Sequence, residues 1–180
     1  MSGIRAEVTI DSPADCPAAL ASATADAKAS SVTKSVPSDP EKAVTEEFTL
    51  GTDASPESIE DAIGTDLREV FAYGDERVYR FERSQTRTCL CECIEQFGCP
   101  IRDVYSRNGE LTICFHAPDV DTLQSAVARL DERWSDVSVH RLIRSSHEDD
   151  SRDLVLVDRS DLTDRQREVL RTAHEMGYFA

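Results

Sequence analysis

The dipeptide Asn108-Gly109 constrains the fold of this chain more than any other feature, because it lies between two segments of strong strand character. Both central positions of a two-residue hairpin turn take positive φ, which asparagine and glycine tolerate. The flanking segments, residues 101–107 and 110–117, are rich in the β-branched and aromatic residues that favour strands. We therefore expect an antiparallel hairpin here.

A second hairpin is expected upstream, where residues 68–73 and 77–83 flank Gly74-Asp75. Residues 89–97 predict a short helix that ends at Gly98. After the Asn-Gly hairpin, Asp119 or Asp121 caps a further helix with one apolar stripe, which consists of Val120, Leu123, Val127, Leu130 and Trp134.

Residues 137–143 complete this part as a strand. Taken in order, residues 77–143 predict strand, helix, strand, strand, helix, strand, which is the order of a ferredoxin-like βαββαβ unit.

The N-terminal part predicts additional strands. Ile4, Ala6, Val8 and Ile10 alternate with polar residues, the period of a strand with one buried face. Residues 16–29 predict a short helix or an irregular crossing, residues 31–36 and 44–50 predict two strands, and Ser55-Pro56 predicts the start of a short helix. The expected fold class is therefore α+β, an antiparallel sheet in which N-terminal strands extend the ferredoxin-like unit or build an incomplete second layer.

The acidic charge balance indicates a salt-rich cellular environment. The formal net charge is −15, from 35 acidic and 20 basic residues, and only three of the basic residues are lysines. Such a surface does not attract nucleic acid, but it is typical of salt-accumulating archaea, where molar salt screens self-repulsion. No apolar run approaches the ~18 residues of a membrane span, and the N-terminus lacks the layout of a signal peptide. We expect a soluble cytoplasmic protein with no membrane segment.

Residues 162–180, LTDRQREVLRTAHEMGYFA, predict a capped helix over about 164–176. Thr163 and Gln166 form a capping-box pattern, and Gly177 can take the left-handed conformation that ends a helix. One stripe at helical spacing is apolar; its members are Val169, Leu170, Ala173 and Met176.

This segment resembles the first helix of the helix-turn-helix in haloarchaeal bacterio-opsin activator (Bat)-type transcription regulators, which carries an LTxRQxEVLxxAxxxGYF pattern. Residues 91–130 (CECIEQFGCPIRDVYSRNGELTICFHAPDVDTLQSAVARL) resemble the domain directly before it, and residues 2–22 resemble the N-terminus of the short members. The resemblance implies a DNA-binding regulator whose turn and recognition helix follow Ala180.

We accordingly expect a regulatory and dimerisation domain over residues 1–144, a polar linker over 145–153, and an incomplete helix-turn-helix over 154–180. Two protomers would pair through the sheet and space two recognition helices on paired half-sites, with DNA contacted beyond Ala180. The alternative is a thiol-, metal- or small-ligand-responsive module without a DNA role.

No enzyme is expected, because the sequence has no phosphate-binding loop, nucleophile elbow, HExxH or C-x-x-C motif. Acidic pairs such as Glu46-Glu47 are typical of solvated surface.

Four closely spaced cysteines are the candidates for reactive or metal-binding chemistry: Cys89, Cys91, Cys93 and Cys99. Three interpretations stay open, namely small inert core residues, redox-sensing thiols, and ligands of zinc or Cu(I). Four ligands on one metal require Cys89 and Cys91 to precede the helix, and the C-x-C spacing is not among the strong zinc patterns. We expect no resident cofactor, with zinc as the alternative.

His116 shares a strand face with Thr112 and Cys114, opposite Leu111 and its apolar neighbours. It would join the cysteines only if they fold over that face. Cys16 lies in a loop before Pro17, where it is structural or reaches the cluster.

Overall fold

The computed structural model describes residues 3–51, 55–85, 89–144 and Arg165. The chain divides into two compact units, Met1–Ser145 and Ser146–Ala180. Every element given below belongs to the first unit. The predicted linker and, apart from Arg165, the predicted C-terminal helix lie outside the described residues.

The described part of the first unit contains eight strands and four helices. The strands are β1 (Ile4–Ile10), β2 (Ala29–Ser35), β3 (Val44–Gly51), β4 (Arg68–Tyr73), β5 (Glu76–Arg83), β6 (Ile101–Arg107), β7 (Glu110–Ala117) and β8 (Val137–Arg144). The helices are α1 (Pro17–Ala25), α2 (Pro56–Ile63), α3 (Leu90–Glu95) and α4 (Val120–Asp131).

All eight strands form one antiparallel sheet in the order β4-β5-β3-β2-β6-β7-β1-β8. The expected α+β class with an antiparallel sheet is confirmed. The N-terminal strands enter this sheet and do not build a second layer.

The expected ferredoxin-like unit over residues 77–143 is wrong in its first strand. β5 pairs with β3 and β4, whereas β1 lies between β7 and β8. The physical reason is burial: β1 places Ala6, Val8 and Ile10 fully inside the core, as a central strand requires. β5 instead brings Tyr79 against Phe48 of β3, with ring centroids 5.8 Å apart.

Local turn and cap chemistry sets the element boundaries. Asn108 and Gly109 take φ of 52° and 86°, which confirms the β6–β7 hairpin turn. Ser55 caps α2 by accepting a hydrogen bond from the Ser58 N–H, and Asp119 caps α4 by accepting one from Thr122 at 2.8 Å.

The helices pack on one face of the sheet. A row of neighbouring residues crosses that face from β3 to β1, and it consists of Leu50, Ala29, Ser106, Leu111 and Ile10. One core cluster joins β1, β6 and β7 to α3 and α4, and a second lies beneath α1 and α2. On α4 the buried residues are Leu123, Ala126 and Leu130, whereas Val120 is 37% exposed because it is the first residue of the helix.

The opposite face of the sheet is polar. Thr112 and Cys114 are buried there, while His116 at the end of the same strand is exposed. Tyr105 donates a hydrogen bond to Glu7 across this face at 3.3 Å, and the Lys28 ammonium lies 4.9 Å from the Tyr105 ring centroid.

Candidate functional site

Three thiols line a cavity of about 310 Å³ between the starts of α1 and α3 and the sheet. They are Cys16, Cys89 and Cys91. Cys89 is extended, with φ −86° and ψ 148°, and α3 begins at the next residue, so Cys91 lies in the first helical turn. The remaining lining is mainly apolar and includes Val32, Phe81, Leu90, Val104 and Leu111.

The cluster therefore differs from the one expected from sequence. Cys93 is buried in the core, and the Cys99 sulfur lies 3.8 Å from the Phe97 carbonyl oxygen. Neither lines the cavity. Their place is taken by Cys16, which lies 73 positions before Cys89 in the chain.

The thiols of the cavity differ in acidity. A hydrogen bond from the Cys91 thiol lowers the pKa of Cys89 below its ordinary value of 9.0. The same hydrogen bond, together with burial, raises the pKa of Cys91. Burial raises the pKa of Cys16 to about 12. Cys89 is therefore the most readily ionised of the three, and thiolate is the reactive form of cysteine.

A buried ion pair lies on the cavity wall. The Arg83 Nε donates to Glu46 Oε1 at 2.5 Å, and only 8% and 7% of these two side chains are exposed. The Arg83 Nη2 also donates to Glu92 Oε1 at 2.6 Å. Both carboxylates neutralise the guanidinium, so the desolvation cost of burying this charge is offset by two charge-assisted hydrogen bonds.

Glu92 ties the thiols to this ion pair. Its second carboxylate oxygen accepts the backbone N–H of Cys89 at 3.2 Å, while the first accepts from Arg83. Lys34 on β2 pairs with Glu95 and lies 3.9 Å from Glu92. Side-chain charges thus hold α3 against two strands of the sheet, β5 through Arg83 and β2 through Lys34.

The loop before Cys16 is anchored to the far end of α4. Trp134 Nε1 donates a hydrogen bond of 2.9 Å to Asp15 Oδ1, and Trp134 follows α4 shortly before β8 begins. Cys16 itself continues into α1, since its carbonyl accepts from the Leu20 N–H at 3.0 Å.

Within the described ranges, no three His, Cys, Asp or Glu side chains come together as a metal site would require. His116 is exposed on the face of the sheet that the helices leave uncovered, so the condition for it to join the cysteines is not met. The zinc alternative has no support from the described geometry.

Sequence reasoning also missed the charged members of the site. Glu46 was expected on solvated surface, but it is buried, and Glu47 rather than Glu46 faces outward. The signal was available in the alternation of β3, because Glu46 falls in phase with the apolar residues Val44, Phe48 and Leu50. A charge in phase with core residues indicates a buried partner.

No helix in the part of the chain that the structure describes is long and apolar enough to cross a membrane.

Comparison with known proteins defines the class. A family model described as an HTH DNA binding domain matches residues 162–180, which follow in sequence the domain that carries the cavity. The chain is a DNA-binding transcription regulator, and a binding module without a DNA role is not favoured.

The chain belongs to the family described as DmsR, N-terminal domain-like, whose model matches residues 1–145. Transcriptional regulator NarO of Haloferax volcanii is 36% identical over 179 residues, which cover 98% of this chain and 80% of that protein. The resemblance to Bat-type regulators is thereby confirmed. Both the HTH match and the NarO match are to transcription regulation.

Proposed function

We propose that residues 1–145 are the signal-receiving and dimerising half of this regulator, and that the signal acts on the thiols of the cavity. The observation that carries the proposal is the convergence of Cys16, Cys89 and Cys91 on one cavity in the domain preceding the helix-turn-helix segment. The regulator acts on DNA in the cytoplasm, and residues 1–145 have no catalytic role.

The cavity suits signal reception because hydrogen bonds link Cys89 on its wall to α3 and to β5. A change at Cys89 acts on Glu92 through the backbone hydrogen bond, and Glu92 is shared with Arg83 of β5. A signal at this position would bias the placement of α3, which packs on α4, as a two-state element.

Dimerisation is proposed through the β4 edge of the sheet. All six β4 side chains are exposed, and Phe71 and Tyr73 are 62% and 77% exposed. An apolar edge strand with unpaired backbone groups is a template for another strand. In the described sheet, β8 is the opposite edge, which runs directly into the Ser146–Ala180 unit.

The occupant we infer for the β4 edge is a second copy of the same strand. Antiparallel pairing of two identical strands has the two-fold symmetry of a homodimer. It also brings the Arg68 end of one β4 to the Tyr73 end of the other, where Glu76 is the cross-strand neighbour of Tyr73. Arg68 of one copy then lies two strands from Glu76 of the other, roughly 10 Å at ~4.8 Å per strand, a distance that an arginine side chain can reach.

Sedimentation equilibrium of the full chain in molar KCl tests the pairing. The wild type is expected to be dimeric, and the double variant Phe71→Glu/Tyr73→Glu monomeric with unchanged circular dichroism. The matched control is Val139→Glu/Leu142→Glu on β8, where the exposed fractions are 42% and 54%. Dissociation of the control, or a monomeric wild type, contradicts the proposal.

Chromatin immunoprecipitation from the natural host tests the signal site. We expect promoter occupancy by the wild-type gene product to change when the cells move between oxidising and reducing conditions. Occupancy by a Cys89→Ser variant is expected to stay constant, while a Cys114→Ser variant responds like the wild type because Cys114 lies on the other face. Equal responses of both variants would refute a role for the cavity thiols.

A further inference from the structure

We propose that the cavity admits small uncharged peroxides, that Cys89 is the thiol they oxidise, and that Cys91 then closes a Cys89–Cys91 disulfide. This inference rests on the proposed function of the cavity as the site of signal reception. It adds the class of the signal molecule, the residue that is modified, and the bond that records the signal.

The cavity wall selects against anionic reagents. Its lining is mainly apolar, and its buried guanidinium is already neutralised by Glu46 and Glu92. An anionic oxidant would have to shed its hydration on entering, and the carboxylates of Asp15, Glu46 and Glu82 on the wall would repel it. Hydrogen peroxide and small alkyl hydroperoxides carry no charge, and about 310 Å³ exceeds by roughly tenfold the ~30 Å³ that one water occupies in the liquid.

The environment of Cys89 distinguishes it from the other thiols. Cys89 and Cys16 are partly exposed and line the cavity, whereas Cys93, Cys99 and Cys114 are buried outside it. Cys16 differs from Cys89 because burial raises its pKa to about 12. Cys91, two positions further on in the first turn of α3, lines the same cavity and supplies the second thiol. The lowered pKa of Cys89 agrees with this assignment, because the attacking group in thiol oxidation is the thiolate.

The chemistry balances with peroxide as the oxidant. The Cys89 thiolate attacks one peroxide oxygen, the O–O bond breaks, and the departing oxygen takes a proton and leaves as water or an alcohol. Cys89 is then a sulfenic acid. The Cys91 sulfur attacks the Cys89 sulfur, an S–S bond forms, the S–O bond breaks, and the hydroxyl leaves with the Cys91 proton as water. Two thiols lose two electrons, and the peroxide gains them.

The product would reshape the start of α3. A disulfide holds its Cβ–S–S–Cβ dihedral near 90° and its Cα atoms within about 4.4–6.8 Å, so it replaces a soft thiol contact by a fixed geometry. The Cys89 backbone turns with it, and the hydrogen bond from the Cys89 N–H to Glu92 is the first contact affected. The Glu92–Arg83 pair shares that carboxylate.

The test oxidises the reduced full chain with one equivalent of hydrogen peroxide or tert-butyl hydroperoxide, blocks the remaining thiols, and locates the product by mass spectrometry. Cleavage at arginine releases Cys89, Cys91, Cys93 and Cys99 in one peptide, so the bond is assigned by fragmentation. The wild type is expected to form the Cys89–Cys91 disulfide. Cys91→Ser is expected to stop at a dimedone-reactive Cys89, and Cys93→Ser, the matched control, to behave like the wild type.

The anionic oxidant tetrathionate tests whether the cavity admits uncharged oxidants in preference to an anion. We expect it to oxidise Cys89 at least tenfold more slowly than tert-butyl hydroperoxide does, relative to the rates of both with free cysteine. Equal relative rates, first oxidation at Cys93 or Cys99, or a Cys16–Cys89 disulfide would each overturn the proposal. The wild-type mapping needs no variant, so a misfolded variant does not block the decision.

The two proposals fail separately. Cys89–Cys91 oxidation without any change in promoter occupancy would refute the signalling role and leave the chemistry standing. Occupancy that depends on Cys89, combined with peroxide products located elsewhere, would refute the chemistry and leave the signalling role standing.

Discussion

Trp134 and Asp15 are joined by a hydrogen bond of 2.9 Å from the indole Nε1 to the carboxylate Oδ1. The bond joins two distant parts of the chain. Asp15 directly precedes the cavity cysteine Cys16, and Trp134 lies between α4 and β8. The bond gives the thiol cavity a direct connection to the last strand before the helix-turn-helix segment.

Trp134→Phe is expected to destabilise the domain by about 1 kcal/mol, the usual net contribution of one hydrogen bond. A phenyl ring fills only part of the indole's volume, so lost packing adds to the effect of the single variant and is separated from the hydrogen bond by the double-mutant cycle. Urea denaturation of the wild type, Trp134→Phe, Asp15→Ala and the double variant measures the coupling between the two side chains. Strictly additive effects would show that this hydrogen bond does not stabilise the fold.

Two neighbouring ion pairs between β3 and β5 should differ in their effect on stability. Glu46→Gln is expected to cost about 2–3 kcal/mol, somewhat below the ~3–5 kcal/mol of a fully broken buried pair, because Glu92 still neutralises Arg83. The matched control is Glu47→Gln, whose partner Arg80 is 48% exposed. That change should cost less than about 1 kcal/mol. Comparable midpoints for the two variants in urea would be inconsistent with a buried pair.

The pH dependence of alkylation follows from the thiol contact. Because the pKa of Cys89 lies below 9.0, its reaction with iodoacetamide should reach half its maximal rate at lower pH than that of an ordinary thiol. Cys91→Ala removes the hydrogen-bond donor, so the midpoint should move to higher pH. Rates at each pH are read by mass spectrometry on Cys89. A midpoint unaffected by Cys91→Ala would mean that Cys91 does not stabilise the thiolate.

Two hairpin glycines allow strain and crowding to be separated. Gly109 has φ +86°, and an added Cβ would lie 3.3 Å from Ser12 Oγ and 3.4 Å from Ala23 Cβ. Gly74 has φ +60° and open space around it. Gly74→Ala should cost about 1 kcal/mol from the left-handed backbone, and Gly109→Ala about 2 kcal/mol, since crowding adds to the strain. Thermal unfolding compares them, and equal losses would exclude the crowding effect.

The predictions from sequence succeeded where the determining interactions are short-range. The Asn108-Gly109 turn, the Ser55 cap and the Asp119 cap each depend on residues within a few positions, and each is confirmed. The strands of the N-terminal part were also expected, because alternation is a local pattern.

The pairing of strands and the membership of the site could not be predicted in this way. Eight elements separate β1 from β7 along the chain, and no local pattern states that β1 rather than β5 lies beside β7. That Cys16 lines the cavity while Cys93 and Cys99 do not has the same cause, since it depends on where α1 crosses the sheet. Glu46 could have been recognised by its phase on β3, but its partner Arg83 could not.

The position of β1 determines when this domain can be completed during synthesis. Its seven residues are synthesised before every other described element of the domain, yet one of their two neighbouring strands is β8, which ends at Arg144. The earliest strand must therefore wait for nearly the whole domain to be translated before both of its edges are hydrogen-bonded. Contacts so distant in the chain slow folding, and the nascent regulator reaches its final sheet only when translation has arrived at the residues that lead into the DNA-reading segment.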